Sequence, residues 1–401
     1  MWEQIRSNQI RSVVLTVAMG IVLVLIGYFL GLYFFGSPVG GLIIAVLVWA
    51  ILALVGYFQG DSILLGMSGA KKISRDDHPR LYNVVEEMKI ASGLEKVPNI
   101  YIIDDPALNA FATGRDPNRA SVAITSGLLQ KLNRDELQGV IGHEISHIRN
   151  RDVLLMAMCS IILGTIVLLA WYGSRILFFG GMAGSRRSSS GGGGQGQVII
   201  LIVALVFMIL APIFAQLIYF AISRKREYLA DASSALYTRN PEGLASALEK
   251  IGASTGQLKS ANKATAPMYI INPFRQKGRA ASDLTSTHPP ISERIRILRA
   301  MAGASFTDYD QAYQQVHRGG KGVVPAASLA AAAVPIRTMK LEGEAGELNE
   351  VQRARETSDV MWRLNNYNTI TCECGTKLRV PPNFRQSQIT CPHCGRTHQV
   401  R

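Results

Sequence analysis

No Asp, Glu, Lys or Arg occurs between Arg11 and Asp61. A stretch of that length without charge excludes an ordinary solvent-facing surface and points to a bilayer. Cysteine is scarce: Cys159 stands alone, and Cys372, Cys374, Cys391 and Cys394 cluster near the C-terminus. That distribution excludes a secreted disulfide framework and suits a reducing, cytosolic setting for the cluster. Acidic residues are outnumbered, 29 against 42 basic, leaving a net charge of +13. In a soluble protein this would suggest nucleic acid. Here the basic residues flank apolar runs, so anionic lipid and a cytoplasmic bias come first. The segment Met1–Ser12 lacks the small-residue cleavage site of a signal peptide.

Four uncharged runs are present: Val13–Phe35, Gly41–Phe58, Val153–Tyr172 and Val198–Ile222. Each is near the twenty residues or so that a spanning helix requires. Gly36-Ser37-Pro38 turns the first pair into a hairpin. Arg6, Arg11, Lys71, Lys72, Arg75 and Arg80, with Arg149, Arg151, Arg224, Lys225 and Arg226, put the run ends in the cytoplasm. Arg175, Arg186 and Arg187 in the Gly/Ser loop at 174–197 run against that orientation. Between the second and third runs, Asp77 reads as the cap of a helix with Pro79 in its first turn. Asn99–Ile103, Asn109–Thr113 and Ala120–Thr125 read as strands of a small sheet whose edge could take an extended peptide.

The chemistry sits in His143-Glu144-Ile145-Ser146-His147. Residues four apart share a helix face, so both imidazoles can reach one cation, and Glu144 is placed to hold a water beside it. Asn133 and Glu136 form a cap signal, and Leu137, Val140 and Ile141 an apolar stripe. The pattern is the zinc-hydrolase signature His-Glu-x-x-His. Such a site needs a third protein ligand and an open position. Glu227 is the best-placed acid, with Asp231 one turn on to hydrogen-bond a ligand histidine. Local sequence alone leaves Glu227 equally readable as an ion-pair partner of Arg224 or Arg226. His78 and His317 read as surface residues without a role.

Four separated motifs occur in a telling order: Asp104–Gly114 with Asn109-Ala110-Phe111, His143–Asp152, Arg226–Asp231, and Thr287-His288-Pro289-Pro290. Over roughly Met1–Ala304 the chain resembles the HtpX-type membrane metallopeptidases, gluzincins related to the CAAX prenyl proteases. The resemblance implies zinc held by His143, His147 and Glu227, with Glu144 as base. It implies contacts to substrate or transition state from Asn109 and His288; the residues themselves leave His288 readable as an oxyanion donor or as a helix-start His before Pro289-Pro290, and Asn109 as a substrate contact or a strand cap. It also implies cleavage of membrane or misfolded proteins.

The resemblance stops before the C-terminus. There Cys372-Glu373-Cys374-Gly375 and Cys391-Pro392-His393-Cys394-Gly395 read as a zinc ribbon, with His393 or His398 as substitute ligands and a redox pair as the alternative. The expected fold is a mainly α membrane protein: four transmembrane helices, a cytoplasmic α+β zincin-like catalytic domain with a small sheet, and the ribbon. The expected partition is a transmembrane hairpin at 1–60, a first catalytic part at 61–152, and transmembrane helices 3 and 4 at 153–222. A second catalytic part at 223–317, a linker with a possible helix at 318–365 and the ribbon at 366–401 follow. Two Zn2+ are expected, one catalytic and one structural. Expected partners are protein or peptide substrates, the lipid bilayer and a protein recruited by the ribbon; nucleic acid is not favoured. The expected location is a bacterial inner (cell) membrane, multi-pass, with both termini cytoplasmic. The competing hypothesis is a non-catalytic membrane scaffold with a structural metal, against which an intact Glu144 argues.

Overall fold

A computed structural model describes residues 2–154, 224–254, 289–329 and 347–400, together with 156, 157, 256, 258, 269, 270, 334–337 and scattered positions between 164 and 213. Most of the third and fourth apolar runs, nearly all of the loop at 174–197, Cys159 and His288 lie outside the described residues.

Helix α1 (Trp2–Phe35) and helix α2 (Pro38–Met67) form an antiparallel pair. Ser37 caps α2 by accepting from Val39 N, and Gly36 takes the left-handed φ of 65° that the reversal needs. The two backbones touch where Gly27 and Gly31 meet Gly41: a Cβ on Gly41 would lie 2.0 Å from Gly27 O. Small residues one turn apart allow that approach, as in membrane helix pairs. α2 is long and apolar enough to cross a membrane, and it continues past Phe58 through Asp61.

Strand β1 (Ala70–Ile73) follows directly, a strand that the basic pair Lys71-Lys72 had concealed. With β2 (Asn99–Ile103), β3 (Ala110–Gly114) and β4 (Ala120–Thr125) it makes a mixed sheet of order β1-β2-β4-β3, β2 and β4 being parallel. One cluster of buried side chains, Leu64, Leu65, Ile103, Phe111, Ala123, Met156 and Tyr269 among them, joins the end of α2 to this sheet. The main core lies between the sheet and helices α3 (Pro79–Ser92), α4 (Ser126–Lys131), α5 (Arg134–Arg149), α6 (224–238), α7 (Pro241–Ala253), α8 (Ile291–Arg299) and α9 (Phe306–Val316).

The reading of Asp77 as the α3 cap is corrected. Asp77 accepts from Ser74 N and Oγ, both at 2.7 Å, in its own turn, and His78 Nδ1 caps the helix by accepting from Leu81 N at 3.3 Å. His78 is therefore buried, not at the surface, and burial holds it neutral with its pKa lowered to about 3.

The described parts of the stretch at 318–365 are anchored. Asp310 Oδ1 accepts from Val323 N and Val324 N at 2.8 and 2.9 Å. Helix α10 (Glu350–Leu364) packs on α4, where the buried Arg353 donates to Gln130 O and Lys131 O at 3.2 and 3.4 Å. A cation at the carbonyl end of a helix also meets the favourable end of its dipole. Lys71 Nζ donates to Leu364 O at 3.0 Å and to Asn365 Oδ1, and Glu356 accepts from Arg80 at 3.2 Å. Two hairpins, β5 (Asn368–Thr371) with β6 (Lys377–Val380) and β7 (Gln388–Thr390) with β8 (Thr397–Gln399), complete the chain.

Candidate metal centre

Helix α5 begins with a full capping box between Asn133 and Glu136. Glu136 does more than cap: it also accepts from Ser246 Oγ at 2.6 Å and Lys250 Nζ at 2.8 Å, which ties α7 to the start of α5. The small residues of α5 then set how near its neighbours come. A Cβ on Gly139 would lie 2.7 Å from Leu244 N on α7, and one on Gly142 would lie 3.1 Å from Ser234 Oγ on α6. Ser234 Oγ donates to Gly139 O at 2.7 Å across that seam. Gly139, Gly142, His143 and His147 share one stripe of α5, and Glu227, Asp231 and Ser234 one stripe of α6. The close seam brings the two stripes face to face.

The result is convergence of three donors. His143 Nε2 lies 3.6 Å from Glu227 Oε2 and His147 Nε2 lies 3.5 Å from Glu227 Oε1. One ligand atom from each of the three residues falls within 4.8 Å of the others, and all three side chains are buried. The imidazoles stand edge to face, centroids 4.9 Å apart. Their other nitrogens are taken: His143 Nδ1 is 3.0 Å from Asp231 Oδ1 and His147 Nδ1 is 3.3 Å from Asp152 Oδ2. An acid on Nδ1 fixes the proton there and turns the Nε2 lone pair towards Glu227. Asp152 reaches back because Asn150 ends α5 and Arg151 takes a left-handed φ of 59°, reversing the chain. Behind the acids sit two guanidinium groups: Arg294 bonds both oxygens of Asp231, and Arg226 Nε lies 3.6 Å from Asp152 Oδ1.

The donor set fits zinc on two counts. Ligands about 2.0–2.1 Å from a tetrahedral ion stand about 3.4 Å apart, close to the 3.6 and 3.5 Å that separate His143 Nε2 and His147 Nε2 from Glu227 Oε2 and Oε1 respectively. Charge also points that way. Four carboxylates, Glu144, Asp152, Glu227 and Asp231, and two arginines, Arg226 and Arg294, are buried in this region. A divalent cation closes that balance. Without a cation at the centre, burial pulls the pKa of His143 down but the neighbouring Asp231 and Glu227 carboxylates outweigh it and raise it, so a proton competes with a metal for this imidazole. Burial likewise pushes Asp231 up, and Arg294 with the His143 bond holds it below the usual range.

Glu144 is buried between the histidines on the same helix. Asn109 is buried at the start of β3: Thr125 Oγ1 and N both donate to its carbonyl at 3.0 Å, and its Oδ1 accepts from Ala110 N at 3.1 Å. Sequence alone gives Asp152 and Arg294 no role of their own and Arg226 only an orientation or ion-pair role. Arg294 carried one legible signal, since it lies on the stripe with Ile297 and Leu298 that α8 buries.

The cysteines also converge. Cys372 Sγ is 3.4 Å from Cys394 Sγ and Cys374 Sγ is 3.7 Å from Cys391 Sγ, with no disulfide among them. Thiolates about 2.3 Å from a tetrahedral zinc stand about 3.8 Å apart. Each pair sits in a tight turn closed by Gly375 N to Cys372 O and Gly395 N to Cys391 O, both 2.9 Å, with both glycines at positive φ.

A paired-histidine helix meeting a carboxylate from a second helix, with an acid between the histidines, defines a zinc metalloprotease. Residues 75–302 match the model of peptidase family M48. The "Protease HtpX homolog" of Dictyoglomus turgidum is 45% identical over 300 residues, covering 75% of this chain and 94% of the relative. That of Streptococcus uberis is 42% identical over 301 residues, covering 75% and 100%. The crystal structure of S. mikatae Ste24p aligns at 18% identity with a TM-score of 0.36, covering 74% of this chain and 66% of that one. The chain belongs to peptidase family M48, as a zinc metalloprotease of the HtpX type. A quarter of it falls outside the length shared with these relatives.

Proposed function

We propose that this protein is a multi-pass inner-membrane endopeptidase that cleaves membrane or misfolded proteins at the cytoplasmic face. The observation that carries this is the meeting of His143 Nε2, His147 Nε2 and Glu227 in a buried centre whose Nδ1 atoms are already braced by acids. His143, His147 and Glu227 hold the zinc. When bound, zinc polarises a scissile carbonyl and lowers the pKa of water towards neutrality. Glu144 takes the proton of the attacking water and delivers it to the leaving amine. Asp231 orients His143. Asn109 at the head of edge strand β3 contacts the substrate backbone, and His288 donates to the oxyanion. The basic residues around α1 and α2 support cytoplasmic ends, and the apolar α2 supports a bilayer setting.

The four cysteines hold a second, structural zinc in a ribbon over 366–401 that recruits a protein partner. The thiol spacing and the glycine turns support this reading. The test is hydrolysis of unfolded casein by the detergent-purified chain with added zinc. Glu144→Gln should lower the rate on the order of 10²–10⁴-fold while zinc per chain stays unchanged. Undiminished hydrolysis in that variant would end the proposal.

A further inference from the structure

Each histidine of the centre is backed by an acid and each acid by an arginine, but the two arms are unequal. Arg226 Nε stands 3.6 Å from Asp152 Oδ1. Arg294 grips Asp231 as a fork, Nε to Oδ2 at 2.8 Å and Nη2 to Oδ1 at 2.7 Å. Its Nη2 also lies 3.4 Å from His143 Nδ1 and its Nη1 3.7 Å from Glu227 Oε2 and 3.5 Å from Ile270 O. Arg294 is fully buried, among the largest such side chains in the molecule. A buried guanidinium is costly unless its donors are matched, and here one planar group is matched to two acids, Asp231 behind His143 and Glu227 at the metal position. Asp231 Oδ1 is shared between Arg294 Nη2 and His143 Nδ1, so the carboxylate cannot rotate without breaking a bond to the arginine.

We infer that Arg294 is a positioning residue of the metal centre: it locks Asp231 so that Oδ1 meets His143 Nδ1, and it steadies Glu227, leaving His143 Nε2 and the Glu227 carboxylate set for the ion. This rests on the reading of His143, His147 and Glu227 as zinc ligands. The fork is the point. Lysine would supply the charge but not two parallel bonds in a fixed plane.

The test uses the full-length chain in detergent and reads zinc affinity by chelator competition, thermal unfolding of the metal-free protein, and casein hydrolysis. Glu227→Gln identifies the zinc that belongs to the buried centre. Arg294→Lys is expected to fold, to keep the ribbon zinc, and to hold the buried zinc about 10–100-fold more weakly, the usual cost of losing such outer support. Arg294→Met is expected to lose at least as much, and Arg294→Met with Asp231→Asn no more than Asp231→Asn alone, because the arginine acts through the acid. Full zinc affinity in Arg294→Lys beside a lowered unfolding temperature, or additive losses in the double variant, would overturn the inference while Glu227→Gln still releases zinc. If Glu227→Gln releases none, the ligand assignment falls and takes the inference with it.

Discussion

His143, His147 and Glu227 come from helices far apart in the chain and all are buried, whereas the four cysteines come from two neighbouring turns and Cys374 and Cys394 face solvent. The first site is braced on every side: α5 is pinned to α7 through Glu136, to α6 through Ser234, and to α8 through Asp231 and Arg294. The second has little to hold it. Its core is Cys372, Leu378 and Cys391 with Ile370 and Ile389 packed against them. One centre is shaped by the fold and then offered to a metal; the other, on the reading proposed above, takes its shape from one.

Chelation puts that contrast to its strongest test. Zinc contributes on the order of 10–16 kcal/mol to small structural sites, so removing it should open 366–400 to trypsin while α5, α6 and α7 stay protected. Protection of both regions, or loss of both, breaks the comparison. Next in size is the pair Glu227→Gln and Cys391→Ser, each expected to release one zinc per chain. Only the first should abolish casein hydrolysis with little change in proteolytic protection, and only the second should expose the ribbon.

Gly139→Ala sharpens the same contrast by loosening the brace. Its new Cβ would lie 2.7 Å from Leu244 N, and overpacking of this kind costs about 1–3 kcal/mol. The measurement is a fall in the unfolding temperature of the catalytic domain with the ribbon zinc retained. The smallest effect belongs to Asp359, which accepts from Lys377 Nζ at 2.9 Å and Arg379 Nη2 at 2.6 Å and so ties the ribbon to α10. Asp359→Asn should cost under about 1 kcal/mol, as exposed pairs do. The bond to Lys377 lowers its pKa, although burial opposes this and the Arg379 bond assists. Its stabilisation is thus full above the ordinary carboxylate range and fades as pH falls through the lowered native value. A melt of the ribbon segment against pH, wild type beside the variant, reads that window.

What could be read in advance follows the same division. Local chemistry was legible: the Asn133–Glu136 cap, the four-residue spacing of the histidines, strands β2 and β4, and the glycines after each cysteine pair are all near-neighbour patterns. Partner choice across the fold was not. Asp77 and His78 compete for one helix end, and only the local turn at Ser74 decides between them. Asp152 faces His147 because Arg151 reverses the chain, which no hydrophobic period records. Arg353 looks like a surface arginine, and Arg294 shows only its place on a buried stripe, until the carbonyls or acids that receive them are in place. The strand at Ala70–Ile73 was hidden by two lysines, one of which reaches over to the carbonyl of Leu364.

The glycine seam of α5 has a consequence for how this chain can diverge. Gly139, Gly142, His143 and His147 must keep one rotational phase, and a single residue inserted or deleted among them turns everything beyond it by about 100°. Composition there can drift where a neighbour gives way, but length cannot. Engineers wanting to lengthen or shorten this protein should leave 133–152 intact and work in surface loops such as 115–119.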